Sequence, residues 1–178
     1  TQISNQEIEK TLRNSECLIS SIEVAAAYER LAAQLNLHYA GLNPIVMVVM
    51  NGGLIPAGQL LTHLTFYHRM HYIHATRYRD NEGTNELDWK YKPDVSIEGE
   101  HVLLIDDKTV VEELSKEKPL SLESCVLLNK EHDRKVEGFD VDFVGINVAD
   151  RYVYGCGMDF HGYLRHLPGI YAIKENKV

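Results

Sequence analysis

The chain has 178 residues, 44% of them hydrophobic and 25% charged, with a net charge of −8 and a pI near 5.6. It is long enough for one domain with a real core, and its acidity argues against general nucleic-acid binding. Three widely spaced cysteines, Cys17, Cys125 and Cys156, fit neither a disulfide framework nor a zinc pattern and point to a reducing cytoplasm. No apolar run approaches the roughly 18 residues of a membrane span, and no signal peptide is read at the N-terminus, so no membrane partner is expected.

In chain order, NQEIEKTLRNSE (5–16) reads as a short amphipathic helix. Ser20-Ser21-Ile22-Glu23 has capping-box spacing and opens an alanine-rich helix to about Tyr39. PIVMVVM (44–50) is a continuous apolar run of strand length, as in the middle of a parallel sheet. After Asn51-Gly52-Gly53, LIPAGQLLTHLTF (54–66) is predicted helical, with Pro56 in its first turn. MHYIHATRY (70–78) is the next strand. The polar stretch RDNEGTNELDWKYKP (79–93) shows no apolar period and is predicted as a long loop of the kind that serves as a lid. VLLI (102–105) is a third strand and KTVVEELSKEK (108–118) a third helix; ESCVLLN (123–129), DFVGINV (142–148) and RYVYG (151–155) are further strands. The tail 157–173 has no assigned element. Strand–turn–helix units in series predict an α/β fold with a mainly parallel central sheet flanked by helices, whose ligands bind at the carboxyl ends of the strands.

Two motifs fall at such ends. Asp106 and Asp107 point in different directions from an extended backbone, which suits a ligand with several hydroxyls, or a hydroxyl and a cation. They equally suit the N-cap of the following helix. Gly52-Gly53 offers bare backbone N–H groups to an anion, or simply makes a tight strand-to-helix turn. Lys130, Tyr152 and Arg165 each have an ordinary reading too, as a solvated lysine, a core aromatic and a surface charge. The nine histidines carry no metal spacing: His71 and His74, three apart on a strand, face opposite sides.

Taken together, VMNGG, ATRYR with its polar loop, VLLIDD, VLLNK, and then ADRYVYGCGMDF and YLRHLP resemble, in order, the hypoxanthine-guanine phosphoribosyltransferases of the type I phosphoribosyltransferase fold. The resemblance covers most of the chain and is sharpest in VLLNK with RYVYGCGMDFHGYLRHLP. It implies one domain over 1–178, with a core sheet at about 43–130 and a small base-binding hood built from the N-terminal segment and about 150–178. Asn51, Gly52 and Gly53 resemble the pyrophosphate loop, with a non-proline cis peptide at Met50–Asn51. Asn51 stands where many relatives carry lysine. Arg77, Tyr78 and the loop to about Glu86 resemble the mobile lid. Asp106 and Asp107 resemble the acidic pair that binds the ribose hydroxyls of phosphoribosyl pyrophosphate, partly through Mg²⁺, with Asp159 as a second Mg²⁺ contact. Lys130 resembles the donor to the purine 6-oxo group, Tyr152 the aromatic that stacks on the base, Val153 the backbone at its edge, and Arg165 the pyrophosphate arginine. The implied activity is purine salvage: transfer of the phosphoribosyl group to hypoxanthine or guanine, giving IMP or GMP plus pyrophosphate. The implied assembly is a homodimer or homotetramer.

One departure stands out. The family continues after the acidic pair with a loop that cradles the 5′-phosphate and carries a catalytic aspartate. Here Asp107 is followed directly by Lys108-Thr109-Val110, and the spacing to Lys130 is about eight residues shorter than the family's, a gap that the missing loop would fill. Either the sequence as read leaves out a disordered loop, or the chain lacks it; the first is preferred, because every other part of the pattern is present. The second would allow a non-catalytic nucleotide- or RNA-binding regulator on the same fold, and the plainest reading is an α/β domain whose strand-end aspartates are only caps.

Overall fold

The computed structural model describes residues 2–79, 85–106, 108–131 and 140–175, with backbone alone at 77–79, 85–86 and 108. Its elements are α1 (Asn5–Arg13), β1 (Ser15–Ile19), α2 (Ser21–His38), β2 (Ile45–Val49), α3 (Leu54–Leu60), β3 (Arg69–Arg79), β4 (Asn85–Tyr91), β5 (His101–Ile105), α4 (Val111–Ser115), β6 (Ser121–Glu131), β7 (Phe143–Ala149), β8 (Val153–Tyr154) and β9 (Ile170–Ile173).

The main sheet has the order β4-β3-β2-β5-β6-β7. Its five inner and far-edge strands run parallel, and β4 is antiparallel at the other edge. Side-chain alternation explains why β2 is apolar throughout: its five residues are all buried, but on two faces. Val46 and Val48 join Leu103, Ile105, Cys125 and Leu127 on the face covered by α2. Ile45, Met47 and Val49 join Val102 and Leu104 on the other face, under Ile97, Val110 and Leu114. Helix α2 presents Val24, Ala27, Tyr28, Leu31, Ala32 and Leu35 inward, the three-and-four spacing of one helical stripe. It starts at the expected box: the Ser20 hydroxyl accepts from the Glu23 N–H, and the Glu23 carboxylate accepts from the Ser20 N–H at 2.8 Å.

A second sheet, β1-β9-β8, is antiparallel throughout and pairs the two ends of the chain, Ser15 opposite Ile173. Arg151 fastens it, with a 2.8 Å ion pair to Glu16 and a hydrogen bond to the Ile173 carbonyl.

Several elements differ from the sequence reading. Half of the expected loop over 79–93 is strand β4, in register with β3 (Arg77 opposite Leu87). Leu87 and Trp89, two residues apart, pack on the second core cluster, so a period of two was present. The helix expected over 54–66 ends at Leu60 and tightens into a 3-10 turn. The helix expected over 108–118 is a 3-10 turn, Lys108–Val110, followed by only five α-helical residues; Pro119 disfavours helix at Lys118. Helix α1 stops at Arg13, and β1 and β9 are additional strands.

Candidate active site

The strand order turns back between β2 and β5: β3 lies on one side of β2, β5 on the other. Ligands of parallel sheets bind at such a switch, beyond the carboxyl ends of the strands. Two of the sequence motifs lie there. Strand β2 runs into a cis peptide at Met50–Asn51, as the resemblance implies. The chain then turns tightly, with the Gly53 N–H donating to the Val49 carbonyl at 2.8 Å. Strand β5 runs into Asp106, whose φ of 93° takes it out of the extended path. The two turns are in contact: a methyl group added at Gly52 would overlap Asp106 Oδ2, and one at Gly53 would lie 2.6 Å from the Val49 carbonyl oxygen. Both glycines are therefore required by close approach of backbone and carboxylate.

The N-cap of α4 is Val110, which makes no side-chain cap bond. Asp107 lies outside the described residues. Arg77 and Tyr78 are placed by backbone, on β3 opposite Leu87 and Glu86, while 80–84 of the expected lid lie outside the described residues.

A third turn reaches the same place from the far end of the chain. After β8, residues 155–164 hold six left-handed positions, three of them non-glycine: Cys156, His161 and Leu164. Such backbone is costly and persists where surrounding contacts fix it. Here the contacts are visible. The Gly157 N–H donates to the Arg165 carbonyl at 2.9 Å, and Arg165 Nη1 donates back to the Gly157 carbonyl. Arg165 Nη2 lies 3.3 Å from Asp159 Oδ1, and Asp159 Oδ2 accepts from the Gly162 N–H at 2.7 Å. The Tyr152 hydroxyl donates to the Asp159 carbonyl at 3.0 Å. Tyr152 is 54% exposed, with Phe160 edge-on to its ring at 6.0 Å. Val153 is buried. A methyl group at Gly157 would overlap the Gly52 carbonyl, which seats this turn directly on the first.

Lys130 stands on β6, paired with Val148 at the carboxyl edge of the sheet. It is half-buried, and among the described residues its ammonium has neither a hydrogen bond nor an ion pair. A lysine without such a partner at the carboxyl edge of a parallel sheet is a donor available to a ligand.

The structure thus gathers Asn51, Gly52, Gly53, Asp106, Asp159 and Arg165 around three interlocked turns, with Lys130 and Tyr152 placed by the flanking strands. The sequence reading missed Gly157 as the contact between the first and third turns, and Phe160 as the support of Tyr152. The Gly-x-Gly spacing at 155–157 hinted at the former; Phe160 left no periodic signal.

Comparison with known proteins identifies the family. The phosphoribosyl transferase domain matches residues 20–161. A hypoxanthine-guanine-xanthine phosphoribosyltransferase of Tritrichomonas foetus is 30% identical, over 96% of this chain and 94% of its own. A hypoxanthine-guanine phosphoribosyltransferase of Bacillus subtilis is 30% identical, over 88% and 92%. The solved structure of a hypoxanthine phosphoribosyltransferase from Staphylococcus aureus superposes with a TM-score of 0.84 at 25% identity, covering 97% of each chain. Fold and relatives converge: this chain belongs to the hypoxanthine-guanine phosphoribosyltransferase family.

Proposed function

We propose that this protein transfers the phosphoribosyl group of phosphoribosyl pyrophosphate to hypoxanthine or guanine, releasing pyrophosphate and forming IMP or GMP. The observation that carries the reading is the half-buried ammonium of Lys130 at the sheet's carboxyl edge, without a hydrogen bond or ion pair among the described residues, in a chain whose relatives are named for 6-oxopurines. A purine nitrogen attacks the anomeric carbon while pyrophosphate leaves. Lys130 donates to the 6-oxo oxygen; adenine offers a donor there and would leave the ammonium unpaired. Tyr152 stacks on the base, and the Val153 backbone meets the base edge. Asp106, with Asp107, binds the ribose hydroxyls. Arg165, oriented by the Gly157 carbonyl, faces the negative charge that grows on the leaving group. Arg77, Tyr78 and the segment after them close over the centre and exclude water, which would otherwise hydrolyse the activated sugar.

The donor chemistry suits Mg²⁺. Asp106 and Asp107 offer only oxygen, and among the described residues no three His, Cys, Asp or Glu side chains form a self-sufficient metal site. The ion would be shared with substrate oxygens and water, neutralising phosphate charge. Asp159 would join it on releasing Arg165 or Gly162.

Three free cysteines agree with a cytoplasmic location, and among the described residues no helix is long and apolar enough to cross a membrane. A homodimer or homotetramer is supported by exposed Met70, Tyr72 and Tyr91 on β3 and β4, the two tyrosines stacked at 4.4 Å. The small sheet that joins the chain ends serves as the hood over the base. Because the relatives are enzymes by name, the regulatory alternative is not favoured.

The test is direct. Mixed with phosphoribosyl pyrophosphate, Mg²⁺ and each purine, the protein should yield nucleotide from hypoxanthine or guanine and none from adenine; no product from either 6-oxopurine would reject the assignment. Lys130→Ala should lower kcat/KM for hypoxanthine by about 10- to 100-fold, the worth of one charged hydrogen bond, with the fold unchanged by circular dichroism.

A further inference from the structure

Tyr152 carries two separable groups. Its ring is the aromatic assigned to the base, and stacking needs only a ring, which phenylalanine would also supply. The hydroxyl is engaged elsewhere. It donates to the Asp159 carbonyl at 3.0 Å, seven residues further along the chain.

Asp159 is a joint. Before it, residues 155–158 close on themselves: the Gly155 N–H donates to the Met158 carbonyl at 3.0 Å, and the Met158 N–H donates back at 3.1 Å. After it, Phe160 and Tyr163 exchange the same two bonds at 2.8 and 2.9 Å. Asp159 is the single residue between the two closed turns, so its backbone dihedrals set how one turn lies on the other. The Tyr152 hydroxyl holds the peptide at that joint. The first turn carries Gly157, seated on the Gly52 carbonyl. The chain leaves the second turn into Arg165.

The Arg165 guanidinium spans the joint. Its Nη1 donates to the Gly157 carbonyl of the first turn, and its Nη2 lies 3.3 Å from Asp159 Oδ1. The other carboxylate oxygen of Asp159 accepts the Gly162 N–H of the second turn at 2.7 Å. The side chains of Arg165 and Asp159 are 32% and 39% exposed, and an ion pair so open to water contributes little by itself. The aim of Arg165 therefore depends on the backbone that carries its partners.

We propose that the Tyr152 hydroxyl is a positioning group for the pyrophosphate end of the site: through the Asp159 carbonyl it fixes the joint between the two turns and so aims Arg165 at the leaving group. One residue then serves both substrates, its ring the base and its hydroxyl the pyrophosphate. The role rests on the phosphoribosyl-transfer reading above.

Tyr152→Phe keeps the ring and removes the hydroxyl. Calorimetric titration of this variant with pyrophosphate and Mg²⁺ should show about three- to tenfold weaker binding, the worth of one neutral hydrogen bond. KM for hypoxanthine should change by less than about twofold. A rise in KM for hypoxanthine larger than the loss of pyrophosphate affinity would overturn the role. So would a Tm loss with pyrophosphate binding unchanged, which would make the hydroxyl a stability group only. The path is checked in an Arg165→Gln background. If the hydroxyl acts through Arg165, adding Tyr152→Phe there should weaken pyrophosphate binding by less than about twofold; a full three- to tenfold further loss, roughly that of one hydrogen bond, would overturn it. The titration does not depend on turnover. In a protein that forms no nucleotide, weaker pyrophosphate binding by Tyr152→Phe still supports the role, and unchanged binding still rejects it.

Discussion

At the scale of single residues, the site depends on absent atoms. Gly157 has a φ of 96°, and its Cα faces the Gly52 carbonyl so closely that a methyl group would overlap it. Gly157→Ala should therefore cost about 2–4 kcal/mol, from a left-handed alanine plus the displaced carbonyl. Thermal melts should show a Tm loss of several degrees, and activity should fall further than stability because the Asn51–Gly53 turn is pushed. Gly58 is the contrasting case. It lies within α3 with nothing inside 4 Å of an added Cβ, so Gly58→Ala should raise stability by about 0.5–1 kcal/mol and leave turnover alone. Equal Tm shifts in the two variants would show that the contact between turns carries no strain.

Helix α2 is the element beneath the site, and its start is fixed by one reciprocal cap. Ser20→Ala removes the cap and should cost about 1 kcal/mol. The effect is pH-dependent. The hydrogen bonds from the backbone N–H and then the hydroxyl of Ser20 lower the Glu23 carboxyl below its ordinary value of 4.5. Folding thus lowers this pKa, so the contribution is present above the unfolded value and fades as the pH falls through the lowered one. The Tm deficit of Ser20→Ala should be full near neutral pH and shrink in acid. The cap was plain in the sequence because its four residues are contiguous. So were β2 and β5, since a strand buried on both faces has no polar residue to interrupt it. Strand β4 was hidden because it is an edge: Leu87 and Trp89 face the core, but Asp88 and Lys90 face water. Strands β1 and β9 were hidden for another reason. Each pairs with the opposite end of the chain, Glu16 with Ala172, so neither carries a local signal. The site divides in the same way. Asp106 and Lys130 were legible as strand-end residues, whereas the packing of Gly52 on Asp106 and of Gly157 on Gly52 is a product of topology.

At the scale of the whole molecule, charge and apolar surface pull apart. The net charge of −8 keeps copies apart at long range, yet Met70, Tyr72 and Tyr91 expose apolar surface on one edge of the sheet. Met70 and Tyr72, two apart on β3, share a face. If this edge holds the proposed assembly together, Tyr72→Glu should yield monomers in sedimentation analysis while the ligand-free fold, by circular dichroism, stays intact; an unchanged mass would place the interface elsewhere.

The meeting of Gly52, Asp106 and Gly157 also has a kinetic side. These residues come from three distant parts of the chain, and contacts of large sequence separation form late and slowly. The only tryptophan, Trp89, sits in the β3–β4 pair, whose partners are close in sequence. In a refolding experiment, its fluorescence should recover before nucleotide formation does. The interval between the two signals would measure the time a chain with a finished edge still waits for its centre.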